Sequence, residues 1–182
     1  MVYAENYLAF TSFSISRNSQ LFELSSTLPN IEKDHLSVRF ENFRLSDFLS
    51  YLNPEETLAT GRLNGSLIVE EPFLSPGLLA DLQIKELNVM KVPLGDFVLN
   101  AKEISEDTYD FNLALKGGDI DLDVTGDYQP DEVAAKLNLN LVLNKLKMSA
   151  IERFSDGELN DTQGFISGEI NVSGTTSEPN YN

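Results

Sequence analysis

Between Lys136 and Asn144 the chain reads K-L-N-L-N-L-V-L-N. Leu137, Leu139, Leu141 and Leu143 fall on one side of an extended backbone, and Lys136, Asn138, Asn140 and Asn144 on the other. That period of two marks a strand with one apolar and one wet face. The same alternation runs through most of the chain, at Leu36/Val38/Phe40, Leu63/Leu67/Val69, Leu82/Ile84 and Phe97/Leu99/Ala101, and again at Phe111/Leu113/Leu115, Ile120/Leu122/Val124 and Ile166/Ile170/Val172. Turn-forming pairs stand between or beside the runs: Asn64-Gly65, Pro76-Gly77, Pro93 to Gly95, Gly117-Gly118 and Gly126 to Pro130. The pattern predicts an all-β antiparallel meander. Two stretches depart from it. Residues 46–52 predict a short helix with Ser46 as N-cap and Asn53-Pro54 as stop, and residues 149–154 predict another, with Ser149 and Glu152 forming a capping box.

A shift of 103 residues overlays 36–76 on 139–179 without a gap. Leu36, Val38 and Phe40 meet Leu139, Leu141 and Leu143, and Ser46 meets Ser149. Gly61 and Gly65 meet Gly164 and Gly168, Leu67 and Val69 meet Ile170 and Val172, and Pro76 meets Pro179. Turn glycines, strand faces and a helix start therefore recur together. The expectation is a single elongated β-domain built from most of two repeats, about 1–101 and 102–182, the second truncated.

Charge and rare residues narrow the function. With 13 Lys+Arg against 29 Asp+Glu the net charge is −16, which disfavours a nucleic-acid surface and a polybasic lipid-headgroup module. There is no cysteine and one histidine, His35, so thiolate chemistry and His-rich metal sites have no residues to use. His35 reads as a surface residue. Asp119, Asp121 and Asp123 alternate with Ile120, Leu122 and Val124 and read as a solvated strand face; a calcium loop would need glycine where Val124 stands and glutamate where Pro130 stands. No cofactor or metal, and no catalytic group, is expected. No apolar run is long enough to cross a bilayer as a helix. The N-terminus lacks the features of a signal peptide, and both ends read as those of an internal segment.

The run G61-R-L-N-G-S-L-I-V, then Pro76, then A80-D-L-Q-I-K-E-L-N-V and V92-P-L-G-D-F-V-L-N-A resembles the repeat of the TamB family, the translocation and assembly module proteins of diderm bacteria and their AsmA-like relatives. The second copy, G164-F-I-S-G-E-I-N-V-S-G-T-T-S-E-P, is closer still, because Gly174 supplies the G-T-x-x-x-P ending where the first copy has Glu71. The resemblance covers about residues 36–101 and 137–182. It implies a periplasmic protein anchored in the inner membrane by a segment absent here, with a long sheet curled into an open, taco-like trough. It also implies lipid transport or outer-membrane biogenesis, with an Omp85-class barrel as partner.

Residues and resemblance meet on one requirement: a sheet with one apolar face must cover it, by packing on another layer or by curling on itself. If it curls, the candidate lipid groove is Leu36, Val38, Phe40, Leu63, Leu67, Val69, Leu82, Ile84, Phe97, Leu99, Phe111, Leu113, Leu115, Leu137, Leu139, Leu141, Leu143, Ile166, Ile170 and Val172. Phospholipid or other acyl chains would be its partners. The same residues also fit a closed β-sandwich core. Two further readings are a strand template for outer-membrane barrel proteins, acting by β-augmentation, and a sandwich module binding carbohydrate, which the absence of tryptophan disfavours. Unpaired sheet edges would let the chain associate with itself.

Overall fold

The computed structural model describes every residue except 1, 5, 6, 10, 132, 156 and 157, and only the backbone of 2–4, 7–9, 51 and 52. Two short strands, β1 (Val2–Ala4) and β2 (Tyr7–Ala9), pair with each other. The main sheet starts with β3 (Phe13–Arg17), β4 (Gln20–Ser25) and β5 (His35–Arg44), then helix α1 (Leu45–Leu52) and β6 (Ala59–Glu70). Next come β7 (Gly77–Val89), β8 (Val92–Ser105), β9 (Thr108–Gly117), β10 (Ile120–Gln129) and β11 (Lys136–Lys147). Helix α2 (Met148–Phe154), β12 (Phe165–Thr175) and β13 (Pro179–Tyr181) complete the chain. The eleven strands lie in chain order, each antiparallel to its neighbours, with β3 and β13 as the two ends. The sheet is an open meander, as the alternation predicts.

The register sorts side chains into two faces. One inner row runs Phe13, Leu24, Val38, Leu67, Ala80, Ala101, Phe111, Gly126, Leu139, Val172 and Tyr181, one residue per strand across all eleven. On the outer face the row Glu23, Arg39, Ser66, Asp81, Asn100, Asn112, Thr125, Asn140 and Asn171 is polar throughout. A closed sandwich would bury the inner rows completely. Here only nine apolar residues are buried among those described, and most of the inner face is half-buried. The sandwich reading gives way to an open trough.

The offset of 103 also relates the pairings. Val38↔Leu67 becomes Leu141↔Ile170, Leu36↔Val69 becomes Leu139↔Val172, and the irregularity between Phe40 and Phe43 returns between Leu143 and Leu146. Helix α1 begins at Leu45 and α2 at Met148, again 103 apart. Glu71, which stands where the second copy has Gly174, keeps that glycine's left-handed backbone, with φ of +45° against +109°. The repeats part only after β12: β7 covers all of β6, whereas β13 pairs with no more than Val172–Gly174.

Several local expectations are corrected. Neither helix is capped by serine: the N-cap positions are Arg44 and Lys147, without a side-chain cap bond, and Ser46 and Ser149 lie inside the first turn. Glu152 does not close a capping box; its carboxylate accepts from the Thr162 N–H at 3.1 Å and hydroxyl at 2.8 Å. Asn53 does end α1 as its C-cap. Asn64-Gly65 is not a turn but lies mid-strand in β6, and Pro93 to Gly95 and Gly126 likewise sit within β8 and β10. At Gly65 (φ +110°) a Cβ would strike the Asp81 carbonyl, so the missing side chain lets β7 approach β6. The β7–β8 turn instead uses Met90 and Lys91, both at positive φ (+49° and +66°), the requirement of a tight hairpin met without glycine.

Candidate functional site

The trough has a packed end and a hollow end. At the end carrying α2, Val92, Leu94, Leu115 and Ala150 form a buried cluster with Leu87, Val89, Phe97, Ile120, Leu122 and Leu146 around it. Val92 and Ala150 have no exposed surface. Arg153 of the helix donates to the Lys91 carbonyl at 2.9 Å, tying α2 to the β7–β8 hairpin. Toward the β3 side, Phe13, Phe22, Phe40 and Phe43 form a run of tilted and edge-on rings 5.5–6.4 Å apart.

At the opposite end lies an apolar cavity of about 460 Å³, lined by Val69, Pro76, Gly77, Leu78, Leu99, Ala101, Tyr109, Phe111, Leu113, Tyr128, Leu137 and Leu139. These residues run from the end of β6 and the start of β7 across β8 and β9 to β10 and β11. Their convergence is the curl of the sheet. Of the candidate groove residues, the cavity gathers Val69, Leu99, Phe111, Leu113, Leu137 and Leu139. The others stand elsewhere on the same face. Phe97 and Leu115 are in the packed cluster, and Phe40 is in the aromatic run. Leu36, Val38, Leu63, Leu67, Leu82, Ile84, Leu141 and Leu143 fill inner rows of the ladder outside the cavity. Ile166, Ile170 and Val172 sit on β12, where Ile166 and Ile170 are about half-exposed.

A polar clasp, buried at Tyr109 and Glu70 and exposed at Glu103 and Asp107, borders the hollow end. The Tyr109 hydroxyl, on a residue 2 % exposed, donates to Glu70 Oε2 at 2.7 Å. Lys33 Nζ donates to that hydroxyl at 3.1 Å, to Glu103 at 3.1 Å and to Asp107 at 2.9 Å, and lies 3.7 Å from Glu70. Burial and the bond to Glu70 push the Tyr109 hydroxyl up to about 12. Burial works against the charge on Lys33, yet its bonds to Asp107, Tyr109 and Glu103 hold the ammonium well above the ordinary lysine range. The clasp joins the β4–β5 loop, the end of β6 and the β8–β9 hairpin. It fits only because Gly77 has no side chain: a Cβ there would overlap the Tyr109 ring and hydroxyl.

His35 is not on the surface. It is 6 % exposed, with Nε2 accepting the Leu28 N–H at 2.9 Å and Nδ1 facing the Lys33 carbonyl at 2.9 Å, which assigns the neutral tautomer with its proton on Nδ1. It braces the loop that carries Lys33. The three aspartates divide. Asp121 and Asp123 lie on the outer face, bonded to Lys116 at 2.6 and 2.5 Å and to Asn144 at 2.9 Å each. Asp119 is buried instead, because the turn before β10 folds it onto Lys147 at 2.6 Å. Among the described residues, no group of three or more His, Asp or Glu is placed to hold a metal ion.

Tyr109, Tyr128, Leu78 and the Lys33–Glu70 pair were not singled out from the sequence. The alternation in β9 and β10 does carry Tyr109 and Tyr128 inward, opposite each other, but nothing local points from Tyr109 to Glu70, 39 residues away. The class defined by this geometry is an open, all-β trough with an apolar interior. No protein-family model, curated protein or solved structure matches the chain.

Proposed function

We propose that this chain holds acyl chains against the inner face of its sheet, as a periplasmic segment of a TamB-like conduit for phospholipid between membranes. The reading rests on one observation: an apolar row continuous over eleven strands, with an unfilled cavity of about 460 Å³ at one end. The volume lies within the roughly 300–1,000 Å³ usual for small-molecule sites. An acyl chain laid in such an apolar hollow displaces water from its walls, and each methylene buried contributes about 0.8 kcal/mol. In a full-length protein, an inner-membrane anchor and an Omp85-class barrel partner would extend the conduit, serving outer-membrane biogenesis.

Native mass spectrometry with lipid extraction tests this, on protein purified without detergent from a diderm bacterium. Stoichiometric phospholipid, lost in a folded Leu139→Asp/Leu141→Asp variant, is the expected result. A lipid-free protein that also fails to take up added lipid would sink the proposal.

One observation favours a second reading, a strand template for outer-membrane barrel proteins. Beyond its pairs with β13 at Val172–Gly174 and with Asn182 at Asn171, the outer edge of β12 from Phe165 to Ile170 pairs with no strand among the described residues. An extended peptide adding there by main-chain hydrogen bonds would be the signature.

A further inference from the structure

In the meander the connections β4–β5, β6–β7, β8–β9, β10–β11 and β12–β13 all lie at the hollow end. Every one of them carries a carboxylate: Asp34, Glu71, Asp107, Asp131 and Glu178 among them. Their only base is Lys33, already bonded to Glu103 and Asp107 and within 3.7 Å of Glu70. Three carboxylates crowd that one ammonium, and the strand-end lysines nearest the rim, Lys102 and Lys136, stand on the outer face of the sheet, next to the inner-row residues Ala101 and Leu137. The cavity reaches this rim through Tyr109, whose ring lines it and whose hydroxyl bonds both Glu70 and Lys33. At the other end the buried Val92–Ala150 cluster blocks an exit.

Resting on the acyl-chain reading above, we infer that the cavity selects amphiphiles whose head carries an ammonium group, zwitterionic lipids above all, and discriminates against purely anionic heads. An acyl chain lying along Leu137, Leu139 and Phe111 places its head at the acidic rim. There an ammonium donates to Glu103 and Asp107, whose side chains are 34 % and 57 % exposed. An anionic head meets repulsion from the same groups, and the ammonium among them, Lys33, is already bonded to Glu103 and Asp107. Within a Debye length, about 10 Å at 0.1 M salt, the effect is strong, and it fades as salt shortens that length to about 3 Å at 1 M.

The test uses the 182-residue protein and two monoacyl phospholipids of one chain length, below their micelle concentrations. One carries ethanolamine and the other glycerol as headgroup, and each competes for a bound fluorescent hydrocarbon reporter. The ethanolamine lipid is expected to bind about tenfold more tightly at low salt, with the ratio falling toward one at 1 M. In Glu103→Gln/Asp107→Asn the ratio should fall several-fold with displacement by either lipid retained. Glu55→Gln/Glu56→Gln, which removes two charges at the opposite end, should leave it unchanged. Equal binding of both lipids, or tighter binding of the glycerol lipid, overturns the headgroup inference and leaves the acyl-chain site standing. Binding of neither overturns both. A ratio that falls equally in the Glu55/Glu56 variant reduces the effect to net charge and refutes the rim.

Discussion

Gly77→Ala puts one methyl group where Tyr109 packs, and the cost can be worked from the site. A Cβ at Gly77 overlaps the Tyr109 hydroxyl and ring carbons and comes within 2.8 Å of Cε2. Tyr109 is 2 % exposed and has no free volume to retreat into except the cavity it lines. Overpacking of this kind costs about 1–3 kcal/mol. Moving the ring also breaks its hydrogen bond to Glu70 and leaves a 5 % exposed carboxylate short of a donor, which costs roughly 1.5–3 kcal/mol. Against these, alanine restricts the unfolded chain and returns about 0.4–1 kcal/mol. The net loss is about 2–5 kcal/mol. With a urea dependence of about 2 kcal/mol/M, the midpoint drops by about 1–2.5 M, read by far-UV circular dichroism and by tyrosine fluorescence, the chain having no tryptophan. The decisive comparison is a double-mutant cycle. In a Tyr109→Ala background the methyl group no longer strikes the ring, and Gly77→Ala should cost nothing and return up to about 1 kcal/mol. A silent Gly77→Ala, or the same cost in both backgrounds, refutes the clasp.

Three further outcomes are expected. In the folded chain the Tyr109 hydroxyl holds its proton up to about 12, against about 10 when unfolded. Its stabilisation is therefore complete below pH 10 and lost as pH rises through 12; Tyr109→Phe should lose that alkaline limb in urea titrations across the range. Gly65→Ala and Gly168→Ala occupy one repeat position but differ in surroundings: the first meets the Asp81 backbone and the second meets nothing within 4 Å. Thermal melts should show the first destabilised by roughly 3 kcal/mol or more and the second by under about 0.5 kcal/mol, and equal losses would refute the register. Finally, the free edges at β3 and β12 should produce concentration-dependent self-association in sedimentation velocity, weakened by Ile170→Lys; a protein monomeric at all concentrations counts against open edges.

Much of the architecture was legible because alternation is a local property. Each strand face from Leu36 to Val172 can be assigned from its neighbours two residues away, and a fixed offset of 103 carries register, bulge and helix start from one copy to the other. The turns were less legible. Glycine serves two purposes in a sheet, and Gly65 and Gly126 are mid-strand points of close backbone approach that read locally like hairpins. Met90-Lys91 makes a hairpin with no glycine to announce it. His35 and Asp119 read as polar surface because their partners are set by the fold: Leu28 and Lys33 on the β4–β5 loop for one, and Lys147 at the end of β11 for the other.

By itself, the sequence determined that this chain forms a meander with one apolar and one polar face, since a period of two places side chains on faces whatever the sheet does next. Only the tertiary structure decided how far that sheet curls, and so which six of twenty candidate residues border a cavity while others pack solid or stand open. The physical reason is range. Curl depends on close contacts between segments far apart in the chain, such as Lys33 with Tyr109 at a separation of 76 residues, and no local pattern encodes the meeting of two such side chains over a glycine.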